Sequence, residues 1–306
     1  MAAKQLLISS DLTAEKWSQI QELINAQGWA SYDEENMMKI VRNSPTTGCL
    51  VASEEDQVLG FIIFAKQTGI PIFYVGLYIV RKDRRGQGIG RKLWNEMKRH
   101  VDPQLILAVD SGPGMTPKYR STDFPFPSDS MLDLKGNVSV VLTAIESKLA
   151  SVDCSLYVVQ KIGTLPNEIS IEQVVRYDQT VANRDRSAFL QQFLSFPAVH
   201  SFAVSHNGQI LGYGSLGPTF KVIGQLYANN LEVALMILQK LLGCTTETNY
   251  YCFVPQRNEH FVQFLMDEAK SELFVKLDRS YSREFVEIYD RNKVYMCTNH
   301  VNQADC

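Results

Sequence analysis

The segment Val80-Arg81-Lys82-Asp83-Arg84-Arg85-Gly86-Gln87-Gly88-Ile89-Gly90-Arg91-Lys92-Leu93-Trp94 holds the residue pattern with the clearest chemistry in the chain. Its three glycines let a backbone approach a ligand closely. The segment follows an apolar β-type run, Ile72 to Val80, and opens a helical pattern with Leu93, Trp94 and Met97 on one face. The free N–H groups of a helix start point outward, and the helix dipole favours negative charge there. Arg85 adds a cation beside them. The chemistry expected is the cradling of a phosphate. A P-loop ends in Gly-Lys-Ser/Thr, which Gly90-Arg91-Lys92 does not supply, and a dinucleotide fingerprint needs glycine where Arg91 stands.

Other reactive side chains form no comparable pattern. The five histidines are scattered. The six cysteines, Cys49, Cys154, Cys244, Cys252, Cys297 and Cys306, include no Cys-x-x-Cys pair and none at metal-ligand spacing from histidine. Reduced, mostly buried thiols and no metal site are the expectation.

The elements that must position the loop occur twice. Cys49 to Phe64 and Ser201 to Leu216 each read as strand, polar turn, strand, and Asn207-Gly208 is a strong hairpin signal. Gln57-Val58-Leu59-Gly60-Phe61 matches Gln209-Ile210-Leu211-Gly212-Tyr213, 152 residues later. Each hairpin has a helical region before it, Ala14–Asn25 or Ser187–Phe193. Each is followed by an apolar run and a helix, Arg91–His100 in the first half and Leu231–Leu242 in the second. Shared order and spacing point to a duplication. Phe124-Pro125-Phe126-Pro127-Ser128 ends the regular part of the first unit. Strands are expected at Met131–Leu134 and Leu156–Ile162, with a helix Val138–Ala150 between them. Gly163 to Asn167 has linker composition, which divides the chain into 1–164 and 165–306. The second half lacks the phosphate loop. Its equivalent turn, Tyr227-Ala228-Asn229-Asn230-Leu231-Glu232, has neither glycine nor cation.

Composition sets the outer limits. The chain has 306 residues, 45% apolar and 21% charged, enough for a core in each of two domains. This excludes a collagenous, disulfide-scaffold or mainly disordered chain. The net charge of -3 and the lack of a basic stripe speak against a nucleic-acid partner. No apolar run approaches the ~20 residues that span a bilayer. The patch Leu6-Leu7-Ile8 is too short for a signal-peptide core, so a cytoplasmic location is expected.

Arg85-Gly86-Gln87-Gly88-Ile89-Gly90 fits Arg/Gln-x-x-Gly-x-Gly/Ala and closely resembles the pyrophosphate loop of the GNAT superfamily of N-acetyltransferases. Tyr119-Arg120-Ser121-Thr122-Asp123-Phe124 resembles the family's Tyr-x-x-x-Gly-Phe, with Asp123 in place of glycine. Asp110-Ser111-Gly112-Pro113 ahead of it resembles a subgroup with tandem domains, the second degenerate and of YitH/HolE type. Tyr177 to Val181, Asp185-Arg186-Ser187 and Ile223 to Ala228 resemble that second domain.

The fold implied is α/β (α+β), two GNAT-like domains in tandem, each a mixed, mostly antiparallel sheet flanked by helices. The activity implied is transfer of an acetyl group from acetyl-CoA directly to a small-molecule amine. Tyr78, Ile79 and Val80 would pair with the pantetheine arm like an added strand. Arg85, Gly86, Gln87, Gly88, Ile89, Gly90 and Arg91 would hold the pyrophosphate. Asp110 would serve as the acid or base group at the end of the fifth strand, or else cap the following turn. Tyr119 would protonate the departing thiolate, or else pack as an aromatic. Asp178 and Arg186 are expected to cap or pair within the second domain. Trp29, Tyr32 and Asp33 are candidate acceptor contacts, in a loop whose acids attract a cationic amine or simply begin a solvated helix. One CoA site per chain is expected, in the first half. Two alternatives stay open, an acyl-CoA-binding sensor without turnover and transfer of a longer acyl group.

Overall fold

The computed structural model describes residues 5–28, 47–163, 165–217, 222–285 and 289–297. The first repeat runs β1 (Leu6–Ser9), α1 (Ala14–Asn25), β2 (Thr47–Glu54), β3 (Gln57–Lys66), β4 (Ile72–Val80), α2 (Ile89–Arg99), β5 (Ile106–Ser111), α3 (Thr116–Arg120) and β6 (Phe126–Asn137). A helix, α4 (Val138–Leu149), and a strand, β7 (Val158–Gly163), lead into the second. That repeat runs β8 (Ile169–Ser170), α5 (Ile171–Ala182), α6 (Ser187–Leu194), β9 (His200–His206), β10 (Gln209–Leu216), β11 (Val222–Ala228), α7 (Leu231–Leu242), β12 (Asn249–Pro255), α8 (Glu259–Gln263), β13 (Glu272–Tyr281) and β14 (Val294–Met296).

The hairpins β2–β3 and β9–β10 confirm the duplicated pattern, and the repeated glycine has a steric reason. A Cβ on Gly60 would lie 2.8 Å from the Ile79 carbonyl oxygen, and one on Gly212 would lie 2.7 Å from that of Tyr227. In both repeats the hairpin therefore packs against the next strand closer than a side chain allows.

The strands join into one continuous sheet in the order β1-β2-β3-β4-β5-β13-β6-β12-β11-β10-β9-β7-β8, with β14 paired to β11. Its centre holds an exchange. β13, from the second repeat, lies against β5 of the first, with Arg279 opposite Asp110. β6, from the first repeat, lies against β12 of the second, with Asp133 opposite Phe253. The two exchanged strands also pair with each other. Each repeat thus completes its sheet with a strand of the other.

This changes two expectations. The Phe124–Ser128 proline segment does not end the regular structure, because β6 begins at Phe126 and is buried on both faces from Met131 to Leu134. Leu132 and Leu134 enter the core around α7, while Met131 joins the core around α5 and α6. The expected division at 164/165 does not separate the halves in space either. Val141, Ile145 and Leu149 of α4 pack in the core with α7, and β7 pairs with β9.

In both repeats the fourth and fifth strands pair and then part. β4 and β5 pair in parallel only over Ile72–Val75 and Ile106–Val109. An extra residue in β4, where Ile62 faces Tyr78 but Phe64 faces Val75, bends the strand at the parting. β11 and β12 pair only at Val222–Tyr251 and Ile223–Cys252. Beyond that point β14 fills the opening. It pairs with β11 at Leu226–Met296 and Tyr227–Val294, and Cys297 bridges to Phe253 on β12. Cys49, Cys154, Cys244 and Cys252 are free thiols. Cys297 is disulfide-bonded, which corrects the expectation of reduced thiols throughout.

Candidate active site

Where β4 and β5 part, a cleft of about 670 Å³ opens. One wall is β4, from Tyr74 to Val80, and its mouth is the loop that begins α2. Gly86 and Gly88 have φ of +80° and +79°, a region that glycine enters without strain. Gly88 is the N-cap of α2 and offers no side chain to the first turn. A Cβ on Gly90 would lie 2.5 Å from the Tyr78 hydroxyl, so the helix start sits directly over β4.

The loop's charges divide into two sets. Arg81 pairs with Asp83 and Arg84 with Glu54. Arg85, Arg91 and Lys118 line the cleft. Arg85 Nε donates to the Val80 carbonyl at 3.0 Å and Nη2 to Gln27 Oε1 at 3.2 Å, which fixes the guanidinium at the end of β4. The arrangement fits a linear ligand with a phosphate end. Uncapped helix N–H groups and cations hold the phosphate, and β4 offers a free edge for an extended amide chain.

Tyr119 projects from α3 into the cleft, packed on Trp94 and Phe124. Burial pushes its hydroxyl up to about 12. Burial, with Tyr119 nearby, also raises the Tyr78 hydroxyl. Asp123 has a local task. It accepts from Trp94 Nε1 and Lys98 Nζ, both at 2.9 Å, and so ties the end of α3 to α2.

The second repeat supplies the opposite wall through Phe253, Phe274, Val275 and Leu277. Because β5 ends at Ser111, paired with Asp278, the continuation of β13 faces the cleft directly.

Sequence profiles of the acetyltransferase (GNAT) domain match residues 9–132 and 174–276. The chain belongs to the GNAT acetyltransferases. It is 22% identical over 233 residues to YitH of Bacillus subtilis (strain 168), an uncharacterized N-acetyltransferase, covering 75% of this chain and 76% of YitH. It is 23% identical over 242 residues to the uncharacterized protein F36G3.2 of Caenorhabditis elegans, covering 76% and 74%. The tandem GNAT protein from the clavulanic acid biosynthesis pathway shares the fold, with a TM-score of 0.67 at 16% identity over 92% of this chain and 99% of that one.

The fold brings most of the expected GNAT site residues together. Tyr78, Ile79, Val80, Arg85, Gly86, Gly88, Ile89, Gly90, Arg91, Asp110 and Tyr119 line one cleft. Gln87 does not, because its side chain turns aside to accept from Arg84 Nε. Asp110 is in place but engaged. Arg279 Nε donates to one oxygen at 2.8 Å and Nη2 to the other at 2.9 Å. Both side chains are under a tenth exposed, and the guanidinium lies over the Tyr74 ring. A carboxylate held at both oxygens by arginine is a positioning group, so the acid–base role expected of it is withdrawn. Trp29, Tyr32 and Asp33 lie outside the described residues. Asp178 and Arg186 form the buried ion pair expected in the second repeat, with Tyr213 donating to Asp178.

Sequence reasoning missed Asp133. It lines the cleft from β6, is 4% exposed, and its Oδ1 makes no hydrogen bond. Burial pushes its carboxyl up to about 7. A lone acid in the run Met131 to Leu134 was the available signal.

The second GNAT repeat closes its equivalent site. The Asn230 side chain caps α7 by accepting from Val233 N at 3.0 Å, and β14 occupies the free edge of β11.

Proposed function

We propose that the chain is an acetyl-CoA-dependent N-acetyltransferase that passes the acetyl group directly to a primary amine of a small molecule, at one site per chain. The parting of β4 from β5 beside the uncapped α2 carries this reading, and the same opening in the second repeat is filled. On this proposal the enzyme is cytoplasmic and has no nucleic-acid partner, in keeping with its net charge of -3. Among the described residues no helix is long and apolar enough to cross a membrane.

In the transfer, the amine nitrogen bonds to the thioester carbonyl carbon as the carbon–sulfur bond breaks. One N–H proton ends on sulfur, and an acceptor that arrives as an ammonium releases another to solvent. The chain's own groups act at defined points. Loop N–H groups and Arg85 hold phosphate, and the edge of β4 orients the donor and polarises the carbonyl. Tyr119, which keeps its proton across the neutral range, donates toward the sulfur.

Calorimetric titration with acetyl-CoA is expected to give one site per chain, and Arg85→Ala to weaken it roughly tenfold, the loss of one charge-assisted contact. Absence of binding at millimolar ligand would end the proposal. Tyr119→Phe is expected to lower kcat roughly 10²-fold while acetyl-CoA affinity stays close to wild type. Steady-state kinetics beside the titration checks both.

A second reading, an acyl-CoA sensor without turnover, draws on Asp110 being held by Arg279. Release of free thiol above background with any amine of a panel excludes it. Competition among acyl-CoAs of different length separates acetyl from longer acyl transfer.

A further inference from the structure

The cleft has two ends of different chemistry. The donor end is polar and cationic, formed by the α2 loop and β4. The far end is formed by β13, β6 and β12, and Phe253, Phe274, Val275 and Leu277 make it apolar. Asp133 is set in that apolar surface, between Phe253 on β12 and Val275 on β13. An acid buried there with Oδ1 unbonded works against the fold when charged, because that form is opposed by its surroundings. Its carboxyl is pushed up to about 7, so it gains most from a cation brought to it.

Strand order sets the spacing. β6 is three strands from β4, at least about 14 Å at ~4.8 Å per paired strand and more where β4 and β5 have parted. A donor arm laid along β4 takes up about one strand spacing of that distance. Asp133 is therefore too far from the thioester to take the proton of the reacting nitrogen directly. It is within reach of the other end of the same acceptor.

Resting on the acetyltransferase reading above, we infer that the acceptor is an elongated diamine, one nitrogen presented to the thioester and the other, as an ammonium, bound by Asp133, with the apolar walls against the methylenes between. The remaining gap calls for a chain of at least about four methylenes, at roughly 1.3 Å of advance per carbon–carbon bond. The reacting nitrogen undergoes the transfer already described, and the anchored ammonium keeps its protons throughout.

The test compares 1,5-diaminopentane with n-pentylamine, which has the same chain and one nitrogen. Wild type should prefer the diamine by 10²-fold or more in kcat/KM, mainly through KM. Asp133→Asn, nearly isosteric, should collapse that ratio to within a few-fold of one. Calorimetry of the CoA-loaded protein gives a readout independent of turnover. The diamine should bind wild type at least tenfold more tightly than Asp133→Asn, with acetyl-CoA binding as the control for a folded site. Equal use and equal binding of the two amines by wild type would overturn the inference. So would an Asp133→Asn variant that keeps the preference, or one that loses both amines alike in kcat, the mark of a base. Failure of acetyl-CoA to bind at all would instead sink the acetyltransferase reading.

Discussion

Arg279→Ala is expected to destabilise the protein by roughly 3–5 kcal/mol, the usual consequence of removing one partner of a buried ion pair. The size follows from what remains. Asp110 would sit on β5 with both oxygens stripped of the guanidinium that neutralises its charge, in a place where water has little access. The guanidinium also covers the Tyr74 ring and lies at the seam where the second repeat's β13 meets the first repeat's β5. Arg279→Met should be nearly as damaging, since it fills the space but leaves the charge. The double variant Asp110→Leu/Arg279→Met should recover most of the loss, because a buried pair replaced whole by apolar groups is often neutral. Urea unfolding of all variants gives the coupling directly. A single-variant loss below 1 kcal/mol would mean that the pair does not hold the seam.

The second large effect is a pH dependence carried by Asp133. Its carboxyl is raised from 3.8 to about 7 by burial. Between those values the folded protein holds a proton that the unfolded chain has released. Stability from this group is therefore full below pH ~4 and lost as pH rises through about 7, a swing of about 4 kcal/mol for a shift of about three pH units. Other groups titrate over the same range. Near Asp133 are the buried Cys252 thiol on β12, itself raised by burial, Lys135 on the same strand, and Glu272 and Lys276 on β13. The informative quantity is therefore the difference between wild type and Asp133→Asn. Measured by urea unfolding from pH 5 to 8.5, the variant should gain on wild type as pH rises and be the more stable protein at pH 8. A constant difference across that range would show that Asp133 titrates normally.

Much of the site was legible because it is local in sequence. The Arg85–Gly90 loop lies between a strand and a helix start, and backbone geometry follows from that placement alone. The hairpins were legible from alternation and from Asn207-Gly208, whose φ values of +49° and +76° match the turn expected. Three features were not legible, each for a long-range reason. Asp110 looked like a free acid because its partner, Arg279, is 169 residues away. Asp133 drew no notice in the short strand Met131–Leu134, because nothing local says that the strand is buried on both faces. β14 gave no sign that three residues near the end of the chain would occupy the second repeat's opening. The α5 helix was read only through the motif at Tyr177 to Val181, because its apolar face includes the paired Asp178.

The exchange of β6 and β13 also sets the order in which the protein can be finished. During synthesis the first repeat emerges with β5 complete but with its neighbour, β13, still more than 150 residues away. The edge of β5 must stay bare until β13 has been made, and β6 has no partner until the second repeat's sheet exists. Bare edges of this kind are templates for pairing with other chains. Neither repeat is therefore a self-sufficient product of translation. Each half expressed alone would carry an unmatched edge and a surplus strand, and two such halves would satisfy one another most readily by trading strands between molecules.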